Sequence, residues 1–221
     1  MKILTFAIFG VISLGMDVIY TLFSGTKGYK SLLIRGITVL SAFILAVASS
    51  NLNSVTSALS LFICMGFGVS ILSEAMTISE IDAEKPKMIT FGVLRAVSIA
   101  LFGVSTLTLT GFNIFALGGG LLLGLGIGSV MCAIKKYKKG YQAFSTLAVW
   151  AAIGLLAGES IYGCINSAHF VSSLIILFAA VSFIVSQVVK SIAKEDAKIQ
   201  YLANALYTFA LTLMAVSIYF Y

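Results

Sequence analysis

Long apolar runs separated by short polar breaks make up almost the whole chain. Eight stretches are mostly apolar, and each is long enough to cross the hydrocarbon core of a bilayer as a helix of about 20 residues. They cover residues 3–23, 32–51, 54–77, 88–109, 112–134, 143–165, 168–189 and 199–220. The pattern predicts an all-α fold: a polytopic membrane bundle of eight transmembrane helices that forms a single domain over residues 1–221.

Composition indicates a chain that has lipid as its solvent. Hydrophobic residues make up 60% of the 221 residues and charged residues 10%, and the mean hydropathy is +1.08. A soluble domain carries about 25% charged residues, so a water-soluble fold of this size could not hide so much apolar surface. Helices can cross a membrane because they satisfy their own backbone hydrogen bonds.

Lysines alternate between successive breaks. The breaks after segments 1, 3, 5 and 7 are lysine-rich, with Lys27, Lys85, Lys136 and Lys194 among their residues, whereas the other three breaks hold no Lys or Arg. Because cytoplasmic loops are enriched in Lys and Arg, we expect both termini outside, in a bacterial cytoplasmic membrane. The lysine-rich breaks on one side of the membrane also account for the net charge of +6. No feature of the sequence indicates a nucleic-acid partner.

Small residues form a stripe along the fifth segment. Ala116, Gly120, Gly124 and Gly128 recur at four-residue spacing, which lets another helix approach closely. We expect this stripe to pack within the bundle. The alternative is a homodimer through the Gly120, Gly124 and Gly128 face.

Two stretches four segments apart resemble each other. Residues 69–74 read Val-Ser-Ile-Leu-Ser-Glu, and residues 181–187 read Val-Ser-Phe-Ile-Val-Ser-Gln with one extra residue. Both end a segment just before a charged break. An old 4+4 duplication and chance similarity between apolar helices both explain this pattern.

Four ionisable residues within the apolar segments are candidates for a functional role. They are Asp17 in the first, Glu74 in the third, Arg95 in the fourth and Glu159 in the sixth segment. A charge in the bilayer core costs at least about 2.5 kcal/mol on insertion scales, so such residues face the bundle interior and indicate function. Glu159 lies toward the outer face, where a structural role explains it as well as a functional one.

Six polar groups from six segments share one depth. With the predicted orientation and a rise of about 1.5 Å per residue, they lie in the cytoplasmic half of the membrane. The six are Asp17, Lys30, Glu74, Arg95, Gln187 and Tyr207. A structural ion-pair network of Asp17, Glu74 and Arg95 is one explanation. We favour a polar pocket that opens to the inner leaflet or to the cytoplasm.

Metal-ligand patterns are missing from the sequence. The only histidine is His169, and the three cysteines, Cys64, Cys132 and Cys164, lack CxxC spacing. Metal sites need clustered ligands of these types. We therefore expect no metal and no cofactor.

Short motifs near the segment ends carry a resemblance to a known family. They are Lys30-Ser31, Ser73-Glu74, Gly92, Ala157-Gly158-Glu159, Ser186-Gln187 and Tyr207 with Ala210. In this order along eight helices, they resemble motifs of the YhhN-type lysoplasmalogenase family. That family carries Lys-Pro, Gly-Asp and Ser-Asp where this chain has Lys30-Ser31, Ser73-Glu74 and Ser186-Gln187.

The resemblance implies hydrolysis of the vinyl-ether bond of a lysophospholipid, with release of a fatty aldehyde. The partner would be a membrane lipid or lysophospholipid substrate. Such a site needs a carboxylic acid that protonates the alkene and a group that stabilises the resulting cation. We expect catalytic roles for Glu74 as the acid, Asp17 as the stabilising group and Gln187 as a water-orienting group. Candidate substrate-binding residues are Lys30, Arg95, Tyr207 and Glu159.

Two other functions fit the same residues. A non-enzymatic relative would bind or move an amphiphile through the same pocket. A small proton-coupled transporter would use Asp17, Glu74 and Arg95 as its coupling site. The paired discontinuous helices that often mark carrier sites are not indicated by the sequence.

Overall fold

Eight α-helices account for nearly all of the chain in a computed structural model, which describes residues 2–23, 29–53, 58–79, 87–137, 140–192 and 197–221. Each helix is long and apolar enough to cross a membrane, which confirms the predicted all-α membrane bundle. The helices are α1 (Lys2–Phe23), α2 (Tyr29–Asn53), α3 (Ala58–Ser79), α4 (Lys87–Thr110), α5 (Ile114–Lys135), α6 (Gly140–Asn166), α7 (Phe170–Ile192) and α8 (Ala197–Ser217). A 3-10 turn, Ile218–Phe220, follows α8.

The break between α4 and α5 shows how local chemistry ends one helix and begins the next. Gly111 has a positive φ of 76°, a conformation that glycine adopts without steric cost. Asn113 then caps α5, since its side-chain oxygen accepts hydrogen bonds from the backbone N–H groups of Phe115 and Ala116 at 2.9 and 3.2 Å. Such a cap satisfies backbone donors that a helix start leaves without partners.

Six helices form a closed ring, in the order α2, α3, α4, α6, α7, α8 and back to α2. The other two helices are peripheral: α1 packs on α2 and α8, and α5 packs on α6. Aromatic side chains connect four ring helices across the interior, with ring centroids 5.3 Å apart for Phe67 and Phe102, 6.5 Å for Phe102 and Phe183, and 5.4 Å for Phe183 and Tyr207. The interior of the ring is therefore a packed core.

The helix neighbours agree with a 4+4 arrangement. A shift of four helices turns each interface within α1–α4 into the corresponding interface within α5–α8, and it turns the contact of α4 with α6 into that of α8 with α2. The packing of α1 on α8 and the smaller contact of α4 with α7 do not follow this pattern. Parallel repeats related by an axis along the membrane normal have neighbours arranged in this way.

The glycine stripe of α5 packs inside the chain. Gly120, Gly124 and Gly128 are buried, and a Cβ added at Gly120 would overlap the carbonyl oxygen of Gly154 on α6. In the same way, a Cβ added at Gly154 would overlap the backbone of Gly120. The predicted packing within the bundle is therefore present, and a homodimer through the same three glycines would have to displace α6.

The two ends of the bundle differ in charge. We call the end where α1, α3, α5 and α7 finish the basic end, because the connections there carry the loop lysines. Both chain termini lie at the opposite end, where the Phe6 and Tyr219 rings stack with centroids 3.9 Å apart. Large apolar side chains cover the outer faces of the peripheral helices, as lipid-facing helices require, with Leu22 and Leu122 among the most exposed.

Candidate functional site

A buried ion pair joins α2 to α3 inside the ring. Arg35 Nη2 lies 2.8 Å from Glu74 Oε1, and the Glu74 side chain is only 3% exposed. Both residues stand within two turns of the basic end. An ion-pair network of Asp17, Glu74 and Arg95 was the sequence-based alternative to a polar pocket, and Arg35 was not part of either prediction. A lone arginine within the apolar segment 32–51 was the signal that could have found it.

Arg95 and Tyr207 meet beside this pair. The guanidinium carbon of Arg95, on α4, lies 3.6 Å from the ring centroid of Tyr207, on α8, which is a cation–π contact. Tyr20, on α1, is 1% exposed and lies within electrostatic range of Arg35, Glu74, Arg95 and Tyr207. The structure thus brings together three of the predicted residues, Glu74, Arg95 and Tyr207, and adds two that sequence analysis missed.

Asp17 lies one turn from Tyr20 on the same face of α1. The Thr212 hydroxyl on α8 donates a hydrogen bond of 2.9 Å to Asp17 Oδ2, and Ser13 and Thr212 share a hydrogen bond of 3.0 Å. The Thr208 hydroxyl, one turn earlier on α8, donates to the carbonyl oxygen of Ala205 at 3.0 Å. Among the described residues, Asp17 Oδ1 has no hydrogen-bond partner. Asp17 therefore sits in the seam between α1 and α8, held by hydroxyl groups.

Five of these side chains form a polar cluster enclosed by five helices. Its members are Tyr20, Arg35, Glu74, Arg95 and Tyr207. Asp17 is not in contact with this cluster among the described groups and stands one turn before Tyr20 on α1. Charged side chains are rare and costly within a membrane, and they mark functional sites by default. The cluster lies in the half of the bundle that faces the basic end.

A cavity of about 250 Å³ opens beside the cluster at the basic end. It lies between the end of α7, the start of α6 and the adjoining ends of α4 and α5. Its walls consist of Gly92, Arg95, Lys135, Tyr137, Ser145, Thr146, Val149, Trp150, Gln187, Lys190 and Ser191. Arg95 belongs both to this wall and to the polar cluster, so the two features adjoin each other. Glu74 is not one of these wall residues.

Gln187 faces the cavity from α7. Its neighbour Ser186 donates a hydrogen bond of 2.6 Å to the carbonyl oxygen of Ala203 and so fixes this part of α7 against α8. Gln187 Nε2 is buried and has no hydrogen-bond partner within the described part of the chain. Gln187 lies five residues before the end of α7, as Glu74 lies five residues before the end of α3.

Two predicted residues stand apart from this arrangement. Glu159 is fully buried, but it lies nine residues beyond Trp150 along α6, or about 13 Å further from the basic end. Neither of its carboxylate oxygens has a hydrogen-bond partner among the residues described. Lys30 belongs to the first turn of α2, and its side chain lies outside the described part of the structure.

The described residues contain no group of three or more His, Cys, Asp or Glu side chains that could hold a metal ion. The three thiols are free and half-buried. Polar recognition at this site thus depends on guanidinium, ammonium, carboxylate, hydroxyl and amide groups. Comparisons of the chain with protein-family models, curated proteins and solved structures found no match.

Proposed function

We propose that the chain is a membrane hydrolase of the lysoplasmalogenase type, which cleaves the vinyl-ether bond of a lysophospholipid and releases a fatty aldehyde. The observation that carries this proposal is the enclosed polar cluster, whose buried ion pair of Arg35 and Glu74 lies near a basic cavity that shares Arg95 with it. The family resemblance of the sequence motifs supports it. The oriented headgroup layer of a membrane would present such a substrate to the basic end.

The reaction needs an acid, a fixed anion and a water molecule. A proton adds to the alkene carbon that is remote from oxygen, and the neighbouring carbon becomes an oxocarbenium ion. Water adds to that carbon and loses a proton, and the hemiacetal collapses to the aldehyde and the glycerol hydroxyl. Acid catalysis by a positioned carboxyl contributes typically about 10²–10⁴-fold, and preorganised charge near the cation contributes further.

The geometry favours a division of roles that differs from the sequence-based expectation. Glu74 is already paired with Arg35, so it is better suited to be the fixed anion that stabilises the oxocarbenium ion. Asp17 has only hydroxyl partners among the described residues, so it is the better proton donor. Gln187, whose amide nitrogen has no hydrogen-bond partner among the described residues, is suited to orient water or the leaving oxygen.

The predicted membrane orientation complements this proposal. With both termini outside a bacterial cytoplasmic membrane, the basic end faces the cytoplasm, as lysine-rich loops favour. The cavity then opens toward the inner leaflet, with the enclosed cluster beside it. Substrate would enter from that leaflet with its phosphate at the level of the cavity.

An aldehyde assay tests the proposal. Purified protein in liposomes is incubated with a vinyl-ether lysophospholipid, and free aldehyde is measured against empty liposomes and against the ester-linked analogue. We expect wild type and Ser129→Ala, which alters an exposed hydroxyl on α5, to release aldehyde alike. Asp17→Asn keeps an acceptor for Thr212 but removes the acid, so we expect a loss of about 10²-fold or more. Absence of aldehyde with the wild-type protein would remove the hydrolase proposal.

A proton-coupled carrier is the second candidate. Buried carboxyl groups lie at two depths, Asp17 near the basic end and Glu159 toward the opposite end, and carboxyl chains of this kind serve as proton relays. Amphiphile-driven proton uptake into liposomes without aldehyde release would favour this function. Saturable amphiphile binding without turnover or flux would leave the non-enzymatic binding protein.

A further inference from the structure

A buried carboxyl group lies in the half of the bundle that is remote from the cavity. Glu159, on α6, is fully buried, and neither of its carboxylate oxygens has a hydrogen-bond partner within the described ranges. It stands seven residues before Asn166, where α6 ends, or about 10 Å from the end of the bundle that carries the chain termini. A buried polar group without a partner requires an explanation, and the hydrolase mechanism gives Glu159 no role.

The register of α4 against α6 places Thr106 at the level of Glu159. A Cβ added at Gly103 would meet the backbone nitrogen of Leu156, and both helices start at the basic end. Thr106 and Glu159 each follow three residues later. Thr106 is buried, and its hydroxyl donates to the carbonyl oxygen of Gly103 at 2.5 Å. Its hydrogen is therefore used within α4, and its lone pairs are left for a neighbour.

Two further hydroxyl groups near this level also spend their hydrogen within their own helix. Ser105 donates to the carbonyl oxygen of Phe102 at 2.6 Å, and Ser160 donates to that of Ala157 at 3.0 Å. An ionised carboxylate only accepts hydrogen bonds, whereas a protonated carboxyl also has an O–H group that it can donate to such oxygens. The surroundings of Glu159 therefore suit the neutral acid better than the anion.

The cations of the chain are too distant to pair with Glu159. α6 packs on α4, α5 and α7, and residues 96–134 and 140–189 of these four helices contain no Lys or Arg. Arg95 stands eleven residues before Thr106, or about 16 Å nearer the basic end. An isolated carboxylate in an apolar interior is so costly that it takes up a proton instead.

Other titratable groups near Glu159 are few. Residues 96–131 and 170–189, which cover the facing parts of α4, α5 and α7, contain no titratable side chain. Tyr162 and Cys164 follow Glu159 on α6, and His169 precedes α7. The His169 ring stacks on the C-terminal tyrosine with ring centroids 4.4 Å apart. The protonation of Glu159 thus depends mainly on its burial and on the hydroxyl groups around it.

Hydroxyl groups lead from Glu159 toward the end of the bundle that carries the chain termini. A Cβ added at Gly163, one turn beyond Glu159, would lie 2.7 Å from the hydroxyl oxygen of Ser173 on α7. Ser173 is 1% exposed, and its hydroxyl has no partner among the described atoms. Farther out, Ser167 donates to the carbonyl oxygen of Leu109 at 3.2 Å. Buried water completes unpartnered groups of this kind, and hydroxyl groups and water together can pass a proton, since each both donates and accepts.

We propose that Glu159 is a proton-binding site, which the proton reaches from the end of the bundle that carries the chain termini. A metal cation would need a shell of several oxygen ligands, whereas the fully buried apolar residues Leu156 and Ile176 stand within one turn of Glu159 and Ser173. The proposal goes beyond the hydrolase reaction and does not depend on it, because proton binding is measured without turnover.

A membrane-soluble carbodiimide tests the site, because it modifies a carboxyl group in its protonated form. The acid O–H adds across one C=N bond, and the product rearranges to a stable N-acylurea. Purified protein in neutral detergent is treated with dicyclohexylcarbodiimide, and modified residues are identified by peptide mass spectrometry. We expect modification at Glu159, with a loss of about tenfold per pH unit once the carboxyl ionises. Glu74 is the internal control, since its ion pair with Arg35 should leave it unmodified.

Infrared spectroscopy gives a second measurement of the same proton. In difference spectra between acidic and alkaline buffer, we expect a carbonyl band of a protonated carboxyl that Glu159→Gln removes and Asp17→Asn retains. Circular dichroism verifies that each variant is folded.

Sealed vesicles with the pH set separately on their two faces test the access route. Carbodiimide modification of Glu159 should follow the pH on the face that carries the chain termini. Ser173→Ala should slow this response, because it removes a hydroxyl between Glu159 and that face. Ser182→Ala is the matched control, since it alters an exposed hydroxyl on the same helix.

Three results would overturn the proposal. An unmodified Glu159, together with a carbonyl band that survives in Glu159→Gln, would show that this carboxyl binds no proton. Protection from the carbodiimide by sodium chloride, but not by choline chloride at the same pH, would indicate a metal-cation site. Modification that follows the pH on the face of the basic end would refute the access route. A failed aldehyde assay would leave all three measurements intact.

Discussion

A charge in a membrane core is tolerated where a neighbour compensates it, and Arg35 with Glu74 shows this at the scale of single residues. Their contact of 2.8 Å lies inside the helix ring, away from lipid. Removing one partner of a buried pair leaves an uncompensated charge, which costs more than removing both. The pair therefore couples α2 to α3.

A double-mutant cycle tests this coupling. We expect Arg35→Gln and Glu74→Gln each to lower the free energy of unfolding by about 3 kcal/mol, because each leaves its partner unpaired. The double variant should lose clearly less than the sum of the two. Unfolding in detergent, followed by circular dichroism, provides the measurement. Additive losses would mean that the two side chains act independently.

The sequence predicts in which half of the bundle the polar residues lie, but not which of them pair. Asp17, Glu74, Arg95 and Tyr207 stand out in the sequence because a polar group in an apolar run is conspicuous and its position along the helix follows from the helical rise. The partner of Glu74 could not be found in this way, because it depends on which helices are neighbours. Tyr20, Thr208 and Thr212 were missed because aromatic and hydroxyl residues are ordinary in membrane helices.

At the scale of elements, the eight apolar runs predicted the helices to within a few residues. α2 begins at Tyr29 and α6 at Gly140, three residues before the predicted starts in both cases. Hydropathy marks the hydrocarbon core, whereas a helix can continue into the polar interface beyond it. The peripheral positions of α1 and α5 were not predicted, because hydropathy does not distinguish a helix that faces lipid from one that packs inside the bundle.

The contact of α5 with α6 gives a prediction at this scale. Gly154→Val should lower the unfolding temperature, because the new side chain would collide with the backbone of Gly120 and Gly124. Gly126→Ala on α5 is the control, since its Cβ would meet open space and alanine favours a helix by about 1 kcal/mol over glycine. We expect this control to be as stable as wild type or slightly more so. A neutral Gly154→Val would contradict the close approach of the two helices.

At the scale of the whole molecule, the ring gives both halves of the chain corresponding places. α3 carries Glu74 and α7 carries Gln187, while α4 carries Arg95 and α8 carries Tyr207. The polar cluster therefore draws its side chains from both halves of the chain.

Membrane orientation gives the prediction that belongs to the whole molecule. In a variant without its native cysteines, Lys136→Cys should react with an impermeant maleimide only when the cytoplasmic face of membrane vesicles is exposed. His169→Cys, at the opposite end, should react only from the other face. The lysine distribution is the physical reason. The reverse labelling pattern would place the cavity on the outer side.

The ring also imposes an order on biogenesis. Asp17 is made early and its hydroxyl partner Thr212 late, and the interface of α8 with α2 closes the ring. While the ribosome is still producing the middle of the protein, Asp17 must wait near lipid or water without that partner. A chain stalled before α8 would therefore display an unsatisfied carboxyl within the bilayer, a feature by which membrane proteases could recognise and clear incomplete copies.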